Sequence, residues 1–262
     1  VGDGIRMAWE AGAARTEMNM EVSYHTPSTI EYSCLTRVHM QPNLVVNLQG
    51  ERFMNEEIMA NTTFCSNALA AQKNGVAFSI IDDSIKQYFR RNGLHTVSLV
   101  NPNASARDYD KDVKLAIEKG DPYFFVADSL EELADKMGVD KENFLRTVEE
   151  YNRYCETRDE LFCKNHRYMQ PLVGPKFYAL QICPGGYGTL GGIKINYKTE
   201  VVNADYAPIP GLYGAGTDVC SIYGDSYVFI LPGNTMGFAL NSGRIAGENA
   251  VSYVAGLFSE EE

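Results

Sequence analysis

Three features of these 262 residues predict a mixed α/β fold. Short apolar runs bounded by turn residues, Leu44-Val45-Val46-Asn47-Leu48, Val76-Ala77-Phe78-Ser79-Ile80-Ile81 and Phe177-Tyr178-Ala179-Leu180-Gln181-Ile182, have the length and composition of strands. Within Lys141 to about Glu156, Phe144, Leu145, Val148 and Tyr151 recur at the spacing of one buried helix face. Towards the C-terminus, Gly211-Leu212-Tyr213-Gly214-Ala215-Gly216-Thr217-Asp218 reads as a short buried strand ending in a glycine turn. Pro232-Gly233 then opens a helix rich in small residues. Strand, loop and helix together form a candidate cofactor edge, because N–H groups at a helix start attract negative charge.

The elements follow in chain order. Asp3 is the expected N-cap of a helix running to about Ala11, with Gly12 as its terminator. After the strand at Leu44–Leu48, Gln49-Gly50-Glu51-Arg52 is expected to turn into Phe53-Met54-Asn55-Glu56 as a hairpin. Asp82-Asp83-Ser84 caps a helix over Ile85–Arg91. Ser129-Leu130-Glu131-Glu132 is a capping box that opens a helix over Leu130–Met137. Thr157 to Gly174 is irregular and charged. Pro184 to Gly192 is expected to be a loop, and Ile193-Lys194-Ile195-Asn196 a further strand.

Composition excludes several functions. A net charge of −11 opposes broad binding to nucleic acid or an anionic membrane, although a local positive pocket stays compatible with it. No stretch approaches the roughly 20 apolar residues of a membrane span, and no basic leader precedes an apolar run. The expectation is a soluble chain, cytoplasmic or of the cell envelope, with the compartment left open. Six cysteines without a Cys-x-x-Cys pair suggest a reduced or weakly oxidising setting and core thiols. The histidines, His25, His39, His95 and His166, show no metal-ligand spacing, so no metal is expected.

Several motifs together resemble the fumarate reductase and succinate dehydrogenase flavoprotein family. Gly2 to Ala13 is similar to its "TGDGIKMAEKAGA" helix start, and Gly50 to Glu56 to "GKRFVNE". Asp82-Asp83-Ser84 is similar to "FDDS", and Phe177 to Leu180 to "PFYAL". Gly211–Thr217 with Gly233–Gly247 resembles "GLYAAGE … GGNA … GRIAG". The resemblance implies the C-terminal part of a Rossmann-like FAD-binding domain with an inserted α+β capping domain. Residues 1–24 and 184–262 would belong to the former and residues 25–183 to the latter. FAD is the implied cofactor, contacted by Gly216, Thr217, Asp218, Gly233, Asn234, Thr235 and Met236. The N-terminal half carrying the adenine and diphosphate site would lie outside this chain, which alone is expected to be inactive. The implied partners are a small-molecule substrate and an electron donor or acceptor.

The substrate shell departs from that family. Gly186-Tyr187-Gly188-Thr189-Leu190-Gly191 has the literal G-x-G-x-x-G spacing, but it does not open a helix after a strand and is rejected as a dinucleotide fingerprint. It is closer to the family's "PGxHxTxGG" loop, yet lacks the histidine that holds the substrate carboxylate. The family's proton-donating arginine would fall at Ala60, eight residues after Arg52. The arginine of "HGANRLGGNA" has no counterpart in Gly224-Asp225-Ser226-Tyr227-Val228-Phe229-Ile230-Leu231. Without these cations a conventional fumarate reductase is excluded. A phenolic and acidic set, Tyr187, Tyr223, Tyr227, Asp218 and Asp225, stands in the corresponding loops.

Tyr187 and Tyr227 are the candidate proton donors, since a phenol can polarise an enone while staying neutral. His25, in Ser23-Tyr24-His25-Thr26-Pro27, resembles the "QFHPT" segment and is the third candidate. Arg37 and His39 fall near the family's proton-relay segment without matching it. The expected activity is hydride exchange between flavin and an activated C–C bond of an enoate or enone. A ketosteroid-dehydrogenase-like flavoenzyme, with its "GDLGTxGG" and "YPGPGATIG" patterns, and a non-catalytic binding or assembly module are the alternatives.

Overall fold

A computed structural model describes residues 2–97, 103–224, 227 and 233–259. In chain order it contains α1 (Asp3–Glu10), β1 (Asn19–His25), α2 (Leu35–His39), β2 (Leu44–Asn47), α3 (Thr62–Ala70), β3 (Ala77–Asp82), α4 (Asp83–Asn92) and α5 (Tyr109–Lys119). There follow β4 (Phe124–Ala127), α6 (Leu130–Met137), α7 (Lys141–Glu156), β5 (Phe177–Gly192), β6 (Glu200–Val202), β7 (Pro208–Tyr213), β8 (Val219–Cys220) and α8 (Asn234–Ser259). This is the α/β class expected. The chain divides into two compact units, residues 1–21 with 186–262 and residues 22–185, and both divisions fall within strands, β1 and β5.

In the 22–185 unit, β2, β3, β5 and β4 lie side by side and antiparallel, pairing Leu44 with Ile80, Ala77 with Ile182 and Phe124 with Leu180. Every residue of β2 and β3 is buried, as continuous apolar runs require when both sheet faces are covered. Leu44 and Val46 join the larger core with Phe78, Ile80, Phe144 and Val148. Val45 joins a second core with Met54, Met59, Cys65 and Leu69. That split is the two-residue period of a strand. At the end of β3, Asp82 caps α4 through Oδ1, which accepts the Ile85 N–H at 2.9 Å. Its Oδ2 accepts the N–H groups of Val173 and Gly174 at 2.6 and 2.7 Å, so one buried carboxylate ties β3 to the entry of β5.

Several expectations are corrected. Helix α1 starts at Asp3 rather than after it; Gly2 is the cap, and Asp3 acts as a first-turn acid that also pairs with Arg6 at 3.4 Å. In the capping box, Ser129 Oγ accepts the Glu132 N–H, but the Glu132 carboxylate accepts the N–H of Asp128 instead of Ser129. The turn at Gln49–Glu51 forms, yet no return strand follows. Arg52 is drawn into a buried ion cluster and Asn55 caps a 3₁₀ turn over Glu56–Ala60. Three of the six cysteines, Cys34, Cys65 and Cys220, are buried; Cys155 and Cys183 are half-buried and Cys163 is exposed.

In the other unit, the stretch expected as a loop from Pro184 continues β5 as far as Gly192, because Gly191 and Gly192 pair with Cys220 and Val219 of β8. Ile193–Asn196 makes two isolated bridges, Ile193 with Arg15 and Ile195 with Val201, in place of the expected strand. Strand β7 is exposed or half-exposed along its length and not buried. Ile5, Ala8, Ala13, Ile193, Val201 and Val219 form the core.

His39, a candidate relay residue by position, is scaffold. It is fully buried, with Nδ1 3.0 Å from the Ser79 carbonyl and Nε2 2.8 Å from the Tyr109 hydroxyl. The carbonyl can only accept, so Nδ1 carries the proton and Nε2 accepts from the phenol. Burial pushes His39 down to about 3, against the bond to Ser79. Unfolded histidine titrates near ~6.5, so between about pH 6.5 and 3 the unfolded chain binds a proton that the folded chain refuses. Stability is therefore expected to fall with pH across that window, by up to roughly 5 kcal/mol from this one group. Urea midpoints measured from pH 7 to 4 check this: a His39→Gln variant should show a shallower slope than wild type, and equal slopes would refute it.

Candidate active-site cleft

A cleft of about 230 Å³ opens in the unit formed by residues 1–21 and 186–262. Tyr187 to Leu190 of β5 form one wall; Cys220 of β8, with Thr217 and Tyr223 from the turns on either side of it, forms another. Glu21, Tyr227 and Thr235 complete it. Two close backbone contacts set this shape. Gly191 and Gly192 lie at φ 89° and 110°, and an added Cβ would stand 2.1 Å from the Glu17 carbonyl oxygen and 2.2 Å from that of Asp218. Only glycine lets β5 run this near both neighbours.

Three phenols share the cleft. The Tyr187 and Tyr227 rings are 6.2 Å apart, those of Tyr227 and Tyr223 5.2 Å, and Phe238 meets Tyr223 edge-on at 6.1 Å. The hydroxyl of Tyr227 accepts the Thr235 N–H at 3.1 Å and shares a hydrogen bond of 2.6 Å with Thr235 Oγ1. It thereby caps the first turn of α8. The Tyr223 hydroxyl is buried and has no hydrogen-bond partner among the described residues. Burial pushes its pKa up to about 12, with Tyr227, Cys220 and Glu21 adding to the effect. The cleft lining contains no cation among the described residues, and its carboxylate, Glu21, is buried.

The structure brings together Tyr187, Tyr227, Thr217 and Thr235 from the expected set. Gly216 lies beside them and donates its N–H to Ser242 Oγ at 3.0 Å, which ties the turn to α8. Asp218 is exposed and its backbone carbonyl accepts the Ile193 N–H; its side chain is not part of the lining. Asn234 is half-buried, and Gly233 and Met236 are exposed at the start of α8. Asp225 and Pro232 lie outside the described residues. His25 belongs to the other unit, where its exposed ring lies against the backbone of Gly185 with Nε2 3.8 Å from Cys183 Sγ. A Cβ on Gly185 would stand 2.2 Å from His25 Cε1, so this ring position requires glycine there. Sequence reasoning missed Glu21, Leu190 and Cys220 as lining residues. Glu21 was hidden because β1 was not foreseen.

Residues 1–235 match the family model described as "FAD binding domain", and the chain belongs to that flavoprotein family. The vinyl phenol reductase of Lactiplantibacillus plantarum is 31% identical over 96% of this chain and 53% of its own length. A fumarate reductase (cytochrome) of Shewanella frigidimarina is 29% identical over 97% of this chain and 40% of its own. The crystal structure of the 3-ketosteroid delta1-dehydrogenase from Sterolibacterium denitrificans, in complex with 1,4-androstadiene-3,17-dione, superposes with a TM-score of 0.68. It is 25% identical and covers 96% of this chain and 46% of that one. The chain thus spans about half the length, or less, of the relatives it matches.

FAD is the cofactor of this family, and the described residues fit one end of it. On α8, Met236 and Leu240 are 68% and 70% exposed, and no atom stands within 4 Å of a would-be Cβ on Gly233 or Gly237. Spaced three and four residues apart, they make an open apolar strip beside the N–H groups of a helix start, suited to a flat ring with acceptors along its edge. The diphosphate finds no such fit among the described residues, because the G-x-G-x-x-G stretch lies inside β5. No helix among the described residues is long and apolar enough to cross a membrane.

Proposed function

We propose that this chain supplies the ring-binding edge and the acceptor cleft of an FAD-dependent oxidoreductase acting on an activated C–C bond. The observation that carries this reading is a phenol-walled cleft with no cation among its described residues, in a chain of the FAD-binding family. Residues 1–24 and 184–262 are assigned to the FAD-binding part, and residues 25–183 to the capping part. Bound FAD supplies two-electron hydride chemistry. Gly216, Thr217 and Asp218 would flank the flavin, and the first turn of α8 from Gly233 to Met236 would support negative charge on it. The Thr235 N–H is taken by Tyr227 and is therefore not among the donors that this turn offers.

Tyr187 and Tyr227 orient the substrate and handle its proton at their hydroxyls. In the reducing direction one hydride and one proton add across the alkene. The described lining offers no cation to offset the desolvation of two carboxylates, so a neutral enone or vinyl aromatic suits it better than fumarate. Ring-ketone dehydrogenation would use the same phenols in the opposite direction.

The test is the visible spectrum of the protein expressed from its complete reading frame. Bound flavin bleached by dithionite should recover at least tenfold faster with cyclohexenone or 4-vinylphenol than with fumarate. A colourless folded protein would leave a binding or assembly module, and faster recovery with fumarate would overturn the neutral-acceptor reading.

A further inference from the structure

We infer that Tyr223 is the group that hydrogen-bonds the oxygen of the acceptor, and that Tyr227, besides its proton-handling role, positions the first turn of α8. This assignment rests on the reading of the cleft as the acceptor site. Of the two neighbouring phenols, Tyr227 has its hydroxyl engaged by both the backbone and the side chain of Thr235. Tyr223 has a fully buried hydroxyl with no partner among the described residues, in a side chain that lines the same cleft. A buried hydroxyl without a partner is unfavourable, and native structures rarely keep one except where a ligand or water completes it.

The surroundings define what that ligand can be. Burial and the neighbouring Glu21, Tyr227 and Cys220 all hold the Tyr223 phenol protonated, so it donates. Its complement is therefore an oxygen acceptor. Glu21 in the lining disfavours an anionic one, whereas the faces of Tyr187, Tyr227 and Tyr223 suit a planar conjugated body. The ligand class is a neutral, planar molecule bearing one phenol or ketone oxygen, bound with that oxygen on Tyr223.

Calorimetric titration of the FAD-loaded protein, expressed from its complete reading frame, tests this with ethylbenzene, 4-ethylphenol and acetophenone, which share a body and differ in oxygen. Wild type should bind one oxygenated ligand at least tenfold more tightly than ethylbenzene, and the preferred one identifies the oxygen as phenolic or ketonic. Tyr223→Phe should reduce that preference to below twofold, keep the ethylbenzene Kd and FAD content, and melt no lower than wild type, because the hydroxyl has no partner among the described residues to lose. A preference that survives in Tyr223→Phe, a wild type that shows none, or a Tyr223→Phe protein that fails to fold would each overturn the assignment. Failure of any alkene to reoxidise the flavin would instead count against the oxidoreductase reading and leave this ligand preference as measured.

Discussion

Gly192→Ala is expected to unfold the unit that carries the cleft while the 22–185 unit keeps its structure. The new Cβ would stand 2.2 Å from the Asp218 carbonyl oxygen and 3.0 Å from its carbon. Both are backbone atoms, which no rotamer change can move aside. That carbonyl accepts the Ile193 N–H at 2.8 Å, and the Gly192 carbonyl accepts from Thr16 Oγ1 at 2.8 Å, so any shift that relieves the clash breaks a bond. The φ of 110° adds strain for any L side chain. Strain and lost bonds together should cost about 3 kcal/mol or more. Thr217 and Cys220 flank the displaced segment and line the cleft, so its shape would go with the pairing. Hydrogen–deuterium exchange distinguishes the units: peptides within 186–224 should lose protection, and peptides within 40–82 should retain it. Unchanged exchange in both would show that the close contact is not structurally required.

The sequence conveys what neighbours along the chain decide. Strands β2 and β3 are continuous apolar runs, α7 repeats its buried residues at helical spacing, and the side chain of Asp82 caps the helix that follows it; each is contained within a short window. Features that depend on distant partners were not legible. Strand β1 offers no apolar run, and Glu21 within it is buried although it is charged. Only the partnering of each hydroxyl separates Tyr223 from Tyr227, two tyrosines four residues apart that look alike in sequence. The GG pair ending β5 read as a flexible loop because nothing local reveals that Glu17 and Asp218 press against it. Arg52 was legible as a motif residue and Glu56 as its neighbour one turn on. Asp159, 107 residues away, was not.

That cluster bears the largest stability effect expected in the 22–185 unit. Arg52 donates to both carboxylate oxygens of Glu56 at 2.8 Å, and to Asp159 at 3.0 and 2.8 Å. Lys164 Nζ lies 3.4 Å from Glu56 Oε2 and donates to Tyr151 at 3.1 Å and to the Asn43 carbonyl at 3.3 Å. All four charged side chains are at most 2% exposed, and two cations balance two anions. Burial opposes ionisation of Asp159, yet the bonds from Arg52 bring its carboxyl down to about 2. Burial also lowers the pKa of Lys164, against the pull of Glu56.

Glu56→Gln keeps the volume and removes one anion, which leaves an uncompensated positive charge in the interior and should cost about 3–5 kcal/mol. Because Lys164 would lose the carboxylate that holds it charged, its folded pKa should fall further below that of unfolded lysine. The unfolded variant then binds the extra proton, stability rises with pH, and the deficit shrinks towards pH 10. Adding Lys164→Met to Glu56→Gln removes the surplus cation and should restore at least half of the loss at pH 7. Urea midpoints at pH 7 and 9.5 for wild type and both variants measure these differences. A deficit independent of pH and unrelieved by Lys164→Met would mean that lost packing or hydrogen bonding, and not unbalanced charge, sets the cost.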